Sequence, residues 1–257
     1  MEDNMLKNAQ MSERHMRILE ILRVKAYATV DMLANELYVS QSSVRRDLNY
    51  LETRGFLKRS YGVVSLKTSD NLNVPFPIRL NANVTQKRNI AKKALELVDD
   101  GDTVFVDASS TCMYLLYELV NKKGITVVTN GVNAVHYLQN FNVKVICTGG
   151  SLYRDDPAAM TGADTIDVIS HVRANVVFFS PQAIDDSGTL LDCYHEENAV
   201  IRCMMKYSDK KVCLCDSTKI GKVSSFKLCD MSEFDVLVCD QPQADRYKAD
   251  FPNLRFL

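Results

Sequence analysis

Between residues 12 and 25 apolar side chains recur as Met16, Ile18, Leu19, Ile21 and Leu22 among charged neighbours, a spacing that predicts an amphipathic helix. Val30, Leu33, Ala34 and Leu37 then follow at i, i+3, i+4 and i+7 behind Thr29, a natural N-cap. After a short break at Tyr38-Val39, Ser40 caps a third helical pattern in which Val44, Leu48 and Leu51 face inward, and Gly55 ends it as a glycine just past a helix does. Residues 56–59 and 63–66 flank Ser60-Tyr61-Gly62 as the strands of a hairpin. Three short helices and a hairpin predict a winged helix-turn-helix over residues 1–66. Residues 67–84 carry Ser69-Asp70-Asn71, Pro75, Pro77 and the asparagines 73, 81 and 83. This stretch has poor periodicity and is expected to be a linker, packed in places by Phe76, Ile78 and Leu80.

Beyond residue 85 the period changes. A helix is expected from Thr85 or Gln86, with Ile90, Ala94, Leu97 and Val98 on one side and a stop at Asp99-Asp100-Gly101. Apolar, β-branched runs at 103–107, 125–129, 143–148, 175–180, 211–216 and 235–239 then alternate with helical stretches at 112–120, 132–138, 163–170 and 197–205. Such continuous runs separated by helices predict a buried, mostly parallel sheet. The expected fold class is α/β: an N-terminal winged helix-turn-helix followed by a larger α/β domain over residues 85–257.

Composition narrows the class without deciding it. The chain has 257 residues, 46% hydrophobic and 25% charged, the profile of a soluble globular protein. It holds no apolar run near eighteen residues and begins without an apolar leader, so neither membrane association nor secretion is expected. The eight cysteines form no CxxC pair and no histidine stands at zinc spacing. Cys213 and Cys215 fall on one face of a strand pattern, as buried reduced thiols of a cytoplasmic protein do, and neither metal nor cofactor is expected. The net charge of −1 hides an uneven distribution. Residues 40–67 carry Arg45, Arg46, Arg54, Lys58, Arg59 and Lys67 against Asp47 and Glu52, a local charge of +4.

That basic stretch coincides with the third helix. A helix entering the major groove needs short polar residues at its N-terminal end, where Ser40, Gln41, Ser42 and Ser43 stand. Arg45 and Arg46 add bidentate reach, Lys58 and Arg59 add charge at the base of the wing, and Tyr61 lies at its tip. These residues are the expected contacts to double-stranded DNA. In the second domain the strand ends carry the chemistry: Asp107-Ala108-Ser109-Ser110-Thr111, Thr129-Asn130-Gly131, Thr148-Gly149-Gly150, and Asp216 to Gly221 with Lys219. Ligands of parallel sheets bind at the carboxyl ends of the strands. Helix-start N–H groups, hydroxyl donors and one ammonium suit a phosphate.

The block from Val39 to Leu48, with Leu51-Glu52 and Gly55-Phe56-Leu57, closely resembles the helix-turn-helix signature of the DeoR family of repressors. The resemblance runs from about Arg14 to Cys239. In the second domain it rests on Gln86-Lys87-Arg88 with Ile90-Ala91, the Asp107–Thr111 loop, Val128-Thr129-Asn130, Gly149-Gly150-Ser151-Leu152, Gly162, Ile184-Asp185 with Gly188, His195-Glu196, and Asp216 to Gly221. It implies a sensor domain related to sugar-phosphate isomerases of the ribose-5-phosphate isomerase type. It also implies a cytoplasmic, nucleoid-bound repressor of a sugar or carbohydrate operon, acting as a homodimer or larger assembly. Operator affinity would be set by a phosphorylated sugar or similar small anion, and Lys87, Asp185, His195 and Glu196 would join the strand-end residues in holding it. Three positions depart from the family pattern. One of the paired wing glycines is Val63, the glycine of the Asp-x-Gly-Thr-Thr loop is Ser109, and Phe179-Ser180-Pro181-Gln182-Ala183 replaces a small Ser-Gly pair. The alternatives are isomerase-like turnover using Asp107, Asp185, Asp186, His195, Glu196 or Lys219, and a scaffold that answers only to a protein partner. His195-Glu196-Glu197 also suits a plain helix start, with acids near the dipole.

Overall fold

The computed structural model describes residues 12–25, 27–60, 62–66, 76–152 and 158–257. The chain divides into two compact units, Met1–Ala82 and Asn83–Leu257.

In the first unit, helix α1 (Glu13–Lys25) buries Ile18, Leu19, Ile21 and Leu22. After strand β1 (Ala28–Thr29), helix α2 (Val30–Leu37) starts where Thr29 Oγ1 accepts the Met32 N–H at 3.1 Å. Helix α3 (Gln41–Thr53) starts where Ser40 Oγ accepts the Ser43 N–H at 3.3 Å. It turns Val44, Leu48 and Leu51 into a core shared with α1 and α2. Gly55, at φ +77°, closes α3: its N–H bonds to the Glu52 carbonyl at 2.9 Å and the next N–H bonds to the Leu51 carbonyl at 3.0 Å. Both are bonds of a Schellman ending, which a side chain at this φ would strain. The hairpin of β2 (Leu57–Ser60) and β3 (Val63–Leu66) forms as expected. Strand β1 adds to β3 as a third strand, too short to show any alternation in the sequence. Tyr61, the expected wing tip, lies outside the described residues.

Part of the expected linker is ordered. Residues 67–75 lie outside the described residues, but α4 (Phe76–Asn81) is a helix. Pro77 sits in its first turn, where a missing N–H costs nothing, and six residues are too few to display a 3.6-residue period.

The second unit opens with α5 (Val84–Leu95), which buries Lys87, Ile90, Ala91 and Ala94. Its main sheet runs β15 (Arg255–Phe256), β14 (Val236–Cys239), β12 (Ser208–Cys215), β9 (Ala174–Phe179), β4 (Thr103–Val106), β5 (Thr126–Thr129) and β6 (Lys144–Cys147), parallel throughout. Helices α6 (Ser110–Leu119), α7 (Val132–Leu138), α8 (Ala163–Ser170) and α9 (His195–Lys206) fall between strands. The chain lays down β4, β5 and β6 to one side, then returns to β9 on the other side of β4. Ligands of open parallel sheets bind at such a reversal, here outside the carboxyl ends of β4 and β9. Small antiparallel additions escaped the sequence pattern: β7 (Ser151–Leu152) with β8 (Met160–Thr161), and β10 (Ala183–Ile184) with β11 (Thr189–Asp192) and β13 (Phe226–Asp230). All eight cysteines are free thiols, with Cys213 and Cys215 buried together in β12.

Candidate functional site

The outward side of α3 is polar because its inward seam is apolar. Gln41, Ser42, Arg45 and Arg46 are exposed, and Ser43 is half-buried. Ser40 Oγ lies 2.9 and 3.0 Å from the Ser42 and Ser43 hydroxyls. Arg45 donates to Gln41 Oε1 at 3.1 Å, and Arg46 Nε donates to the Ser42 carbonyl at 3.4 Å. Lys58 is half-exposed on β2. Arg59 is committed elsewhere: its guanidinium donates to Glu52 Oε2 at 2.9 Å and to Asn49, and its N–H to Glu52 Oε1 at 3.1 Å. It pins the wing onto α3.

Sequence reasoning counted Asp47 only as a negative charge. It lies three residues after Val44, on the buried seam, and an acid on that face needs basic partners. Arg14 supplies two bonds, Nε to Oδ2 at 2.5 Å and Nη2 to Oδ1 at 2.9 Å. His15 lies 3.2 Å from Oδ1 and stacks on Tyr50 with ring centroids 4.6 Å apart. Burial pushes the Asp47 carboxyl up, but the Arg14 guanidinium and His15 outweigh it and hold the group below the usual carboxylate range.

In the second unit, Asp107 directly follows β4 and is 4% exposed. Its two oxygens accept the Ser109 and Ser180 N–H groups, each at 2.9 Å, tying the ends of β4 and β9 together. Burial raises its pKa, and those bonds offset the rise only in part. Ser109 caps α6 through the Cys112 N–H at 3.2 Å. Ser110, next in α6, accepts at 3.1 Å from the ammonium of Lys87, a lysine 3% exposed. From the far side, Lys219 Nζ donates to Ser180 Oγ at 2.8 Å and to the Pro181 carbonyl at 2.7 Å. Lys87, Asp107, Ser109, Ser110 and Lys219 are thus joined to one rim, with Ser180 as a link that strand-end chemistry alone did not single out.

The remaining expected residues divide. Thr111 Oγ1 and Asn130 Oδ1 are buried at helix and strand ends and meet no hydrogen-bond partner among the described residues. Thr129 Oγ1 is occupied by the Gly131 N–H at 3.0 Å. Gly149 accepts from Thr165 Oγ1 at 2.6 Å. A Cβ on Gly150, at φ +112°, would stand 2.1 Å from Thr165 Oγ1 and 2.5 Å from the Thr161 carbonyl oxygen, so close packing already accounts for that glycine. Asp185 closes its own turn, accepting from the Ser187 N–H and hydroxyl and from the Thr189 N–H at 2.7 to 3.0 Å. His195 and Glu196 are exposed in the first turn of α9, with the His195 ring edge-on to Phe226 at 6.0 Å. Among the described residues, no group of His, Cys, Asp and Glu side chains could hold a metal ion, and no helix is long and apolar enough to cross a membrane.

Residues 14–70 match the model of the DeoR-like helix-turn-helix domain, and residues 82–241 match that of the DeoR C terminal sensor domain. The chain is 35% identical over 237 residues to the L-fucose operon activator of Haemophilus influenzae, covering 91% of this chain and 94% of that one. It is 32% identical over 229 residues to the HTH-type transcriptional regulator GolR of Listeria innocua, covering 89% and 90%. To the glycerol-3-phosphate regulon repressor of Escherichia coli it is 27% identical over 234 residues, covering 91% and 92%. These matches, which run along nearly the whole chain, lead to one conclusion: this protein belongs to the DeoR family of transcriptional regulators.

Proposed function

We propose that α3 reads the major groove of an operator through Gln41, Ser42, Arg45 and Arg46, with Ser40, Ser43 and Lys58 near the phosphates, and that a phosphorylated sugar or similar small anion at the Asp107–Lys219 rim sets operator affinity. Arg59 stands in this reading as the residue that fixes the wing. In the sensor, Lys87, Ser109, Ser110, Thr111, Asn130 and Lys219 are the proposed ligand contacts, with Asp107 organising them. Asp185, His195 and Glu196 are assigned to its border. The observation that carries the ligand reading is a buried ammonium, Lys87, set against Ser110 in the first turn of α6, where the buried Thr111 hydroxyl meets no hydrogen-bond partner among the described residues. Helix-start N–H groups and an ammonium together favour an anion over a neutral sugar. Relatives named for a fucose operon and a glycerol-3-phosphate regulon support an effector from carbohydrate metabolism. We place the protein in the cytoplasm on the nucleoid, as a homodimer or larger assembly that presents paired reading helices to repeated half-sites. Its proposed mode is repression, lifted by the effector.

The test is fluorescence anisotropy of the full chain on DNA from upstream of its own gene, titrated with glycerol 3-phosphate, fructose 1-phosphate, glucose 6-phosphate and inorganic phosphate. One sugar phosphate should release the DNA, whereas inorganic phosphate should not. Arg45→Ala should cost about 1–3 kcal/mol of operator binding. Lys219→Ala should raise the sugar-phosphate concentration needed for release by roughly tenfold or more, as loss of a charge-assisted contact does. Release by no member of the panel, or an unchanged Lys219→Ala response, would sink the effector assignment.

A further inference from the structure

Asn83 opens the second unit in left-handed backbone, φ 53° and ψ 40°, which side chains other than glycine adopt at a cost. Asparagine tolerates that region when its side chain serves its own helix, but here it makes no capping bond to α5. Instead Nδ2 reaches 133 residues along the chain to Asp216 Oδ1 at 3.2 Å, and to Thr218 Oγ1 at 3.1 Å. Asp216 is 1% exposed and also accepts the Thr218 N–H at 3.1 Å and the Thr218 hydroxyl at 2.5 Å. These bonds shape the turn Ser217–Lys219, a single 3₁₀ turn whose last residue is the Lys219 that bonds Ser180 and Pro181. One helical turn past Asn83 stands Lys87, whose N–H donates to the Asn83 carbonyl at 3.0 Å and whose ammonium reaches Ser110. The first turn of α5 therefore grips the end of β12 and the start of α6 together. It is also the first turn after the chain leaves the DNA-reading unit.

From this placement we infer that Asn83 is a positioning residue for the effector response: it ties the point where the sensor joins the rest of the chain to the turn that presents Lys219. A ligand that moves or freezes that turn then acts, through the Asn83 amide, on the segment leading back to the reading helix. The coupling equals the difference in ligand affinity between the turn held and the turn released. This inference rests on the effector site proposed above.

The test uses the full chain, the same DNA and the same panel, and compares the operator Kd with and without saturating sugar phosphate. Asn83→Gly keeps the left-handed backbone at no steric cost and removes only the amide. DNA binding without ligand should stay within about twofold of wild type, and the sugar phosphate should still raise the melting temperature. The ligand-induced change in operator Kd, of the order of 5–150-fold for such couplings, should fall below about threefold. Thr218→Val, which removes one of the two acceptors, should weaken the change in the same direction, and it carries the test if Asn83→Gly does not fold. A full response in Asn83→Gly or, failing that, in Thr218→Val overturns the inference. Loss of ligand-induced stabilisation together with the response would overturn it too, making Asn83 part of the ligand site rather than a link. A wild-type protein unmoved by every sugar phosphate would remove the effector reading first, and this inference with it.

Discussion

Tyr38 occupies the turn between α2 and α3 in left-handed backbone, φ 54° and ψ 41°, where its N–H bonds to the Asn35 carbonyl at 3.4 Å and the next N–H, of Val39, bonds to the Ala34 carbonyl at 3.0 Å. Its ring is 93% exposed and so contributes almost nothing to packing. A tyrosine in this region carries roughly 1–2 kcal/mol of strain, whereas glycine adds about 0.5–1 kcal/mol of unfolded-state freedom. Tyr38→Gly should therefore stabilise the first unit by about 0.5–1 kcal/mol, read as a higher urea midpoint with an unchanged slope. A lower midpoint would mean that the exposed ring makes a contact this strain argument omits. Asp47 and Arg59 belong to the same scale. In the sequence Asp47 looks like a surface charge of α3 and Arg59 like one of the wing, and each is spent on holding α3 against its neighbours.

At the scale of elements, the turn after β6 leaves no room for a side chain at Gly150. Gly150→Ala would drive a methyl into Thr165 Oγ1 and the Thr161 carbonyl, against backbone that cannot swing aside. A loss of about 2–4 kcal/mol is expected in the second unit, measurable by denaturant unfolding; a loss below about 0.5 kcal/mol would show that α8 shifts freely. The long elements were legible because their signals are local. Thr29 and Ser40 cap the helices they precede, residues 132–138 and 163–170 fold as α7 and α8, and the apolar runs become the parallel strands, most of them within a residue or two. The strand pairs β7–β8 and β10–β11 were not legible, since strands of two to four residues show little or no alternation and their partners are set by tertiary contact. The site followed the same rule. Asp107, Ser109 and Lys219 declare themselves as polar residues at strand ends. Asn83 and Ser180 do not, because what defines them is a bond to a partner far along the chain. The helix inside the expected linker was not legible for a related reason: Phe76–Asn81 is one short helix among asparagines and prolines that argue for coil.

At the scale of the whole molecule, two buried carboxyls pull in opposite directions as pH changes. The folded pKa of Asp47 lies below its unfolded value of about 3.9, so its stabilisation is complete above that pH and is lost as pH falls through the folded pKa. Burial raises the folded pKa of Asp107 above the same reference, so its contribution is fully present below about pH 3.9 and is lost as pH rises through the folded pKa. Acid should thus weaken the first unit through Asp47 while relieving the second through Asp107. Hydrogen exchange of the Val44 to Leu48 amides and of the Val104 to Val106 amides, in wild type, Asp47→Asn and Asp107→Asn, separates the two. Each substitution should flatten the pH dependence of its own unit alone, and a flattening in the other unit would contradict the assignment. The sheet order carries one more consequence, for the protein as it is made. Strand β4 must wait for β9, which begins at Ala174, and the Lys219 turn follows β12. The reading helix and wing, with a hydrophobic core of their own, are complete by Leu66. At about 5–20 residues per second, a ribosome takes roughly ten to thirty seconds to travel from the wing to Lys219. Throughout that interval the nascent chain carries a finished helix-turn-helix core and an unfinished sensor domain.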